Sequence, residues 1–391
     1  MEIRRVYLDY NATTPVDPRV CSAMLASLSD SYGNASSREH AWGWDAADAV
    51  EQARSIVADC VGARPSEIVF TSGATEALNT AIRGFVGYEG WANKKIVVAA
   101  TEHQAVLAPC FRLAERTGVE VALLRVDLQG RVDLEELERT LDSTKRTLVA
   151  IMAVNNETGT VQPVLEVARV IREAGSMFLC DVTQALGKMG LDVHASGIDL
   201  AALSAHKICG PKGGGALFVR RGEPEIDLAP LVVGGGQEHG LRGGTLNVPA
   251  IVGFGEACRI VREEWKEEAI RVARLRDRLE QELLTGLSDI WINGDRQNRI
   301  PNTSSIGFRG VDARALIRDM HDIAVSTRAA CSSGAASPSH VLKAIGLTDD
   351  EAYSCIRFSL GRFTTEKEID YTIDKVIASA HKLRRNRGII G

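Results

Sequence analysis

Between about Glu67 and Arg220 the apolar positions gather into short runs rather than spreading evenly: "EIVFTSG", "KIVVAAT", "VEVALLRVD", "TLVAIMAVN", "MFLCDVT", "DLAALSAHK" and "GALFVRR". Each run is about one strand long. The segments between most of them, such as "TEALNTAIRGFVG", "HQAVLAPCFRLAERTG" and "QPVLEVARVIREAG", carry apolar residues at helical spacing. Strands that alternate with helices imply crossover connections, and therefore a mainly parallel sheet covered on both faces, an α/β architecture. In such a sheet the loops leaving the carboxyl ends of the strands form the ligand crevice. The polar residues that follow each apolar run are the ones to read for chemistry.

The pattern changes after Asn247. "NVPAIVGFGEACRIVREEWKEEAIRVARLRDRLEQELLTGL" reads as one long amphipathic helix linking two units. Beyond it, strand-like "SSIGFRG", helix-like "DARALIRDM", strand-like "SCIRFSLG" and a final charged helix predict a smaller α+β unit, with the first 20 or so residues packing on it. The expected division is a larger α/β domain over 21–260 and a smaller one made of 1–20 and 261–391.

Composition narrows the class. With 391 residues, 45% hydrophobic and 25% charged, the chain is an ordinary globular protein long enough for a sizeable core. A net charge of −5 gives no electrostatic reason to expect direct nucleic-acid binding. The basic run Lys382 to Arg387 reads as a solvated helix end. No apolar stretch is long enough to span a membrane, and the N-terminus lacks the apolar core of a signal peptide, so a cytoplasmic protein is expected. The eight cysteines contain no C-x-x-C pair, which indicates neither a metal site nor a disulfide framework.

Five strand ends carry polar residues: Thr71 to Ala77 ("TSGATEA"), His103, Asn155 and Asn156, Asp181 and Gln184, and the group Ser204, His206 and Lys207. A hydroxyl-rich loop entering a helix can hold a phosphate on free N–H groups at the positive end of the helix dipole, or it can be a simple N-cap. The GxxxxGK[ST] pattern is absent, which argues against a nucleotide P-loop. Asp181 ends a buried strand and needs a cationic partner, either a protonated pyridine nitrogen or a plain arginine or helix N-terminus. Lys207, at the end of another buried strand, either forms a salt bridge or reacts with a carbonyl as a Schiff-base lysine. Anion site, buried acid and strand-end lysine together are the parts pyridoxal 5′-phosphate (PLP) requires. Glycines at 210 and 213 to 215 then permit the tight turn after Lys207.

At this point the chain resembles a known family. "YLDYNATTP", "YGNASSREHAWGW", "TSGATEA", "VNNETG", "SAHKICGPKGGGAL", "QEHGLRGGTLNV" and "CIRFSLGRFTTEKEID" are similar to the cysteine desulfurases of the NifS/IscS type, class V aminotransferase-like enzymes of fold type I, over nearly the whole length. The resemblance implies a large domain with a seven-stranded, mainly parallel sheet and a smaller α+β domain. It implies that Lys207 holds PLP, that Asp181 pairs with the ring nitrogen, that Gln184 bonds the ring hydroxyl and that His103 stacks on the ring and handles protons. Ala74, Thr75, Ser204 and His206 would bind the phosphate, joined by Thr245 of a second subunit in a homodimer. Asn34, Asn155 and Arg357 would grip the substrate carboxylate, and a guanidinium forks naturally onto such a group. No metal is expected.

Cys331 lies among small residues in "STRAACSSGAASPSH" without helical or strand periodicity. From the residues alone it is either a reactive loop thiol or a structural one. The resemblance makes it the nucleophile that takes sulfur from L-cysteine as a persulfide, releases L-alanine and hands the sulfur to an acceptor protein, as in the long-loop group. The pathway served, whether iron–sulfur cluster assembly, tRNA thiolation or DNA phosphorothioation, is not legible. Two positions depart from the family pattern. Thr327-Arg328-Ala329-Ala330 stands where Ser-Gly-Ser-Ala is common, and Ala35 replaces a proline. Arg328 either lowers the Cys331 pKa and steers an acidic acceptor, or is a solvated loop residue. Selenocysteine lyase and cysteine sulfinate desulfinase are the neighbouring activities. A silent sulfur-transfer scaffold is opposed by the intact set of Lys207, Asp181, His103 and Cys331.

Overall fold

The computed structural model describes residues 5–87, 91–141, 144–327 and 337–386. Its strands are β1 (Val6–Tyr7), β2 (Ile68–Thr71), β3 (Lys94–Ala99), β4 (Glu120–Leu124), β5 (Arg146–Ala150), β6 (Met177–Asp181), β7 (Leu200–Ser204), β8 (Gly215–Val219), β9 (Ile290–Asn293), β10 (Thr303–Phe308), β11 (Ile323–Ala324) and β12 (Cys355–Ser359). The helices that matter for the site are α1 (Pro18–Ser29), α2 (Ala41–Val61), α3 (Ala74–Val86), α4 (Gln104–Thr117), α5 (Leu134–Thr140), α6 (Val164–Glu173) and α7 (Val248–Gly286).

The seven apolar runs form one seven-stranded sheet in the order β2-β8-β7-β6-β5-β3-β4. All pairings are parallel except those of β8, which runs antiparallel to both β2 and β7. Because side chains alternate along a strand, each strand feeds two cores. Val97, Val149, Phe178, Ala201 and Phe218 meet α2, α6 and the first half of α7 on one face. Ile96, Leu148, Leu179, Ala202 and Leu217 meet α3 and α4 on the other. This is the α/β sheet that the runs predict. Helices α1 and α2 precede the first run and are not announced by the alternation.

A further core joins the second half of α7 (Val272, Leu275, Leu279, Leu283) to Val6 and Leu8 near the N-terminus and to Ile306, Phe308, Ile356 and Phe358. It underlies the antiparallel sheet β12-β10-β9, while β1 pairs in parallel with β11. The 39-residue α7 thus runs from one core into the other. Residues 9–14 then cross back to the turn after β7, where Thr14 Oγ1 donates to His206 O and accepts from Cys209 N at 3.0 and 2.9 Å.

Candidate active site

A cavity of about 630 Å³ opens at the carboxyl ends of β2, β6 and β7. It is lined by the Ser72–Glu76 loop, His103, Asn156, Asp181, Thr183, Gln184, Ser204, His206, Lys207 and Arg357, with Asp9 to Thr13 (save Tyr10) closing one side. Ala74, Thr75, His103, Asp181, Gln184, Ser204, His206, Lys207 and Arg357 are therefore brought together as expected from sequence.

The loop after β2 is not a side-chain N-cap. The N-cap of α3 is Gly73, which makes no capping bond, so the first-turn N–H groups are left to an external acceptor. Gly73 adopts φ +150 and lies so close to β8 that a Cβ at Gly215 would stand 2.5 Å from its Cα. Ser72 N donates to Glu76 Oε2 at 2.8 Å, and Glu76 Oε1 accepts from Arg242 Nε at 2.9 Å, which fixes the loop from behind.

Strand β7 ends at Ser204, and one 3-10 turn, Ala205–Lys207, delivers the lysine. Lys207 Nζ donates to Ala12 O at 2.7 Å and also to Asn11 O. Asp181 is buried at the end of β6, with Oδ1 accepting from Thr183 N at 2.9 Å. His103 is the N-cap of α4: its Nδ1 accepts from Ala105 N at 3.1 Å, so the neutral ring carries its proton on Nε2. Burial first, and then the cations Lys207, Lys212 and Lys188, push the His206 pKa down to about 4, so that ring is a neutral donor at pH 7. Behind Asp181, Glu102 is wholly buried, and desolvation drives its carboxyl well above the usual carboxylate range.

Three expected residues fall elsewhere. Asn155 is spent inside its own turn: Oδ1 accepts from Glu157 N and Thr158 N at 2.9 and 3.0 Å, and Nδ2 donates to Thr101 O at 3.0 Å. Its neighbour Asn156 lines the cavity instead, with Oδ1 buried and unbonded. Asn34 is exposed and caps Ser36 N at 2.9 Å, and Thr245 is exposed on the 232–245 loop; neither lines the cavity of its own chain. Cys331 and Arg328 lie outside the described residues. The chain on either side of them is tied beside the site. Ser326 lines the cavity and exchanges backbone bonds with Arg357, while Ser339 Oγ donates to Glu157 Oε2 at 2.5 Å and His340 Nε2 meets Glu102 O at 2.9 Å.

Arg357 is 5% exposed and pairs with Asp9 Oδ1 at 2.6 Å, while its NH1 donates to Asn156 O at 2.9 Å. Its Nε is buried without a partner among the described residues. Asn156 stands among the strand-end residues that the sequence singles out, whereas Asn11, Asp9 and Lys188 carry no such signal. Asn11 stands in the quoted "YLDYNATTP", but nothing in its spacing announces its bonds to residues 145 to 348 positions away.

These residues fit PLP. An uncapped helix start, the hydroxyls of Ser72, Thr75 and Ser204 and a neutral imidazole suit a phosphate. A buried carboxylate suits a pyridinium, and an amine on the same wall suits an aldehyde. Buried acceptors left unbonded, Thr183 Oγ1 and Asn156 Oδ1, are what a site shaped for a polar ligand leaves behind.

Residues 6–372 match the Aminotransferase class-V family. A cysteine desulfurase IscS from Anaeromyxobacter sp. (strain Fw109-5) is 48% identical over 379 residues, which is 97% of this chain and 93% of that protein. Among solved structures, a NifS-like protein superimposes with a TM-score of 0.88 at 38% identity, covering 96% of this chain and 98% of its own. SspA in complex with cysteine superimposes with a TM-score of 0.78 at 36% identity, covering 92% of this chain and 100% of its own.

Proposed function

The chain belongs to the class V aminotransferases as a PLP-dependent cysteine desulfurase, and we propose that the cavity around Lys207 is where it removes sulfur from L-cysteine, leaving L-alanine and a persulfide on Cys331. The observation that carries this assignment is the meeting of Lys207, Asp181 and the uncapped start of α3 on one cavity.

Lys207 would hold the cofactor, Asp181 its ring nitrogen, Gln184 its ring hydroxyl, and the α3 N-terminus with Thr75, Ser204 and His206 its phosphate. When bound, the cofactor supplies a protonated ring that takes up the electron pair left on the α-carbon of the substrate. The chain does the rest. Arg357, with Asn156 beside it, orients the substrate carboxylate. The Lys207 amine accepts the α-proton, and His103 returns and removes protons through Nε2. The Cys331 thiolate attacks the substrate sulfur. One carbon–sulfur bond breaks, one sulfur–sulfur bond forms, and the carbon that loses sulfur gains a proton.

Thr245 would serve the cavity of a second copy, which makes the working enzyme a homodimer. An acceptor protein then takes the sulfur from Cys331. Among the described residues no helix is long and apolar enough to cross a membrane.

Borohydride reduction of the PLP-loaded protein, followed by peptide mapping, tests the assignment. The label is expected on Lys207, and a single turnover with L-cysteine should yield alanine in wild type but none in Cys331→Ser. A label on another lysine, or alanine from Cys331→Ser, would overturn it.

A further inference from the structure

Lys188 takes no part in the scheme above, yet it sits directly behind it. It does not line the cofactor cavity. With Lys207 it lines a second, water-sized cavity of about 30 Å³ at the junction of the two cores, alongside Tyr10, Glu268 and Arg362. Among the described residues no carboxylate lies at bonding distance from its amine. Nζ donates to Gln184 Oε1 at 2.5 Å and to Asn11 Oδ1 at 3.3 Å, both of them neutral amides.

Those two amides lead to the reactive lysine. Gln184 Nε2 donates to Asn11 O at 3.1 Å, and the same carbonyl accepts from Lys207 Nζ. Asn11 is clamped on every other side. Its Oδ1 also accepts from Asn302 Nδ2 at 3.0 Å, while its Nδ2 donates to Asn156 O and Thr303 Oγ1 at 3.1 and 2.8 Å. A carboxamide can present either its oxygen or its nitrogen in one direction. An ammonium donates only, so in its charged form Lys188 settles the choice for Gln184.

We propose that Lys188 is a positioning residue for the reactive lysine: it pins the Gln184 oxygen, turns the Gln184 NH2 toward the Asn11 carbonyl and the cavity, and through both amides fixes where the Lys207 amine sits. This rests on Lys207 being the residue that holds the cofactor. The charges around Lys188 act in the same sense. Lys207 and Arg357 repel it, Glu268 attracts it, and the Cys209 thiol and Arg362 complete its surroundings. Desolvation first, and then Lys207 and Arg357, bring its pKa down to about 7. Repulsion is mutual, so whatever positive charge Lys188 carries also favours the neutral amine on Lys207.

Lys188→Met keeps the length and removes the donor and the charge; Lys188→Gln is a second neutral variant with a donor, should the first fold poorly. Two readouts are compared with wild type: the pH midpoint of the visible absorption of PLP-loaded protein, and the pH dependence of acetylation of Lys207 in cofactor-free protein, read by peptide mapping. Both midpoints are expected to rise by about half a unit or more in the neutral variants, with kcat falling roughly tenfold and KM little changed. Lys188→Arg should restore the wild-type midpoints. Unmoved midpoints in a variant that loads PLP on Lys207 normally would overturn this inference alone, even if thermal stability fell. Wild-type protein that takes up no PLP on Lys207 would overturn the parent assignment and this one with it.

Discussion

Arg54 and Glu238 form a two-pronged ion pair, 2.8 and 2.7 Å, with side chains only 6% and 1% exposed. Glu238 Oε2 also accepts from Phe70 N at 2.6 Å, Arg54 NH1 donates to Ile68 O at 2.7 Å, and the guanidinium lies 4.7 Å from the centre of the Phe70 ring. One pair thus ties α2, β2 and the 232–245 loop together, and it holds Glu238 and His239 at φ 49 and 57, left-handed values that side chains other than glycine seldom adopt. Glu238→Ala leaves the buried guanidinium with only the exposed Glu51, 3.0 Å from its Nε, as a carboxylate partner and is expected to cost about 3–5 kcal/mol in chemical denaturation. Arg54→Met with Glu238→Leu should recover most of that loss. Equal losses in the single and double variants would show that the pair's charge is not what matters.

The two adjacent asparagines should separate cleanly. Asn155→Ala deprives two buried N–H groups and the Thr101 carbonyl of their partner and is expected to lose about 2–4 kcal/mol of stability. Asn156→Ala removes an acceptor that is already unbonded, so stability should hardly change while KM for L-cysteine rises about tenfold. Denaturation midpoints and initial rates on the same two proteins check this. The reverse assignment would restore Asn155 to the substrate.

That pair also marks where the sequence stops being legible. Uninterrupted apolar runs announce the sheet because a strand covered on both faces needs nothing else, and Lys207 and Asp181 follow directly as polar residues at the ends of such runs. Which of Asn155 and Asn156 faces the cavity depends on one turn whose donors choose the first, and identical side chains carry no trace of that choice. Asn11, Lys188 and Asp9 reach the site through contacts between distant parts of the chain, which no periodicity encodes. Of the described cysteines, Cys110, Cys180, Cys209, Cys258 and Cys355 are buried, whereas Cys21 is exposed and Cys60 half-buried.

His206 should leave a signature in the pH dependence of stability of the cofactor-free protein. Its pKa falls from an ordinary 6.5 to about 4 on folding, so the unfolded chain binds this proton first. The associated stability is fully present above pH 6.5 and is lost as pH drops through the window toward 4. Thermal melts of wild type and His206→Gln across that window are expected to converge as pH falls, because the variant has no such proton to bind. Curves that stay parallel would mean that the ring takes up its proton in the fold as readily as in the unfolded chain. A phosphate bound beside the ring would offset the Lys207, Lys212 and Lys188 charges, so loading PLP should shrink the convergence.

The cradle for that phosphate depends on a missing side chain. A Cβ at Gly215 would stand 2.5 Å from Gly73 Cα and 2.6 Å from Leu203 O, closer than packed atoms approach. Something must yield in Gly215→Ala. Strand β8 is held in register with β7 by five residue pairs, from Leu200↔Val219 to Ser204↔Gly215, whereas the Ser72–Thr75 loop is free of any ladder. The loop is therefore the part that moves, and it carries the first-turn N–H groups of α3 with it. PLP should dissociate at least about tenfold more readily, alongside an overpacking loss of roughly 1–3 kcal/mol. Gly118→Ala provides the comparison. Gly118 has φ +75 and nothing within 4 Å of its would-be Cβ, so alanine there meets backbone strain alone, about 1–2 kcal/mol, with PLP affinity intact. If both variants lose stability and neither loses PLP, the close approach of Gly73 to Gly215 is a matter of packing, and the phosphate is held elsewhere.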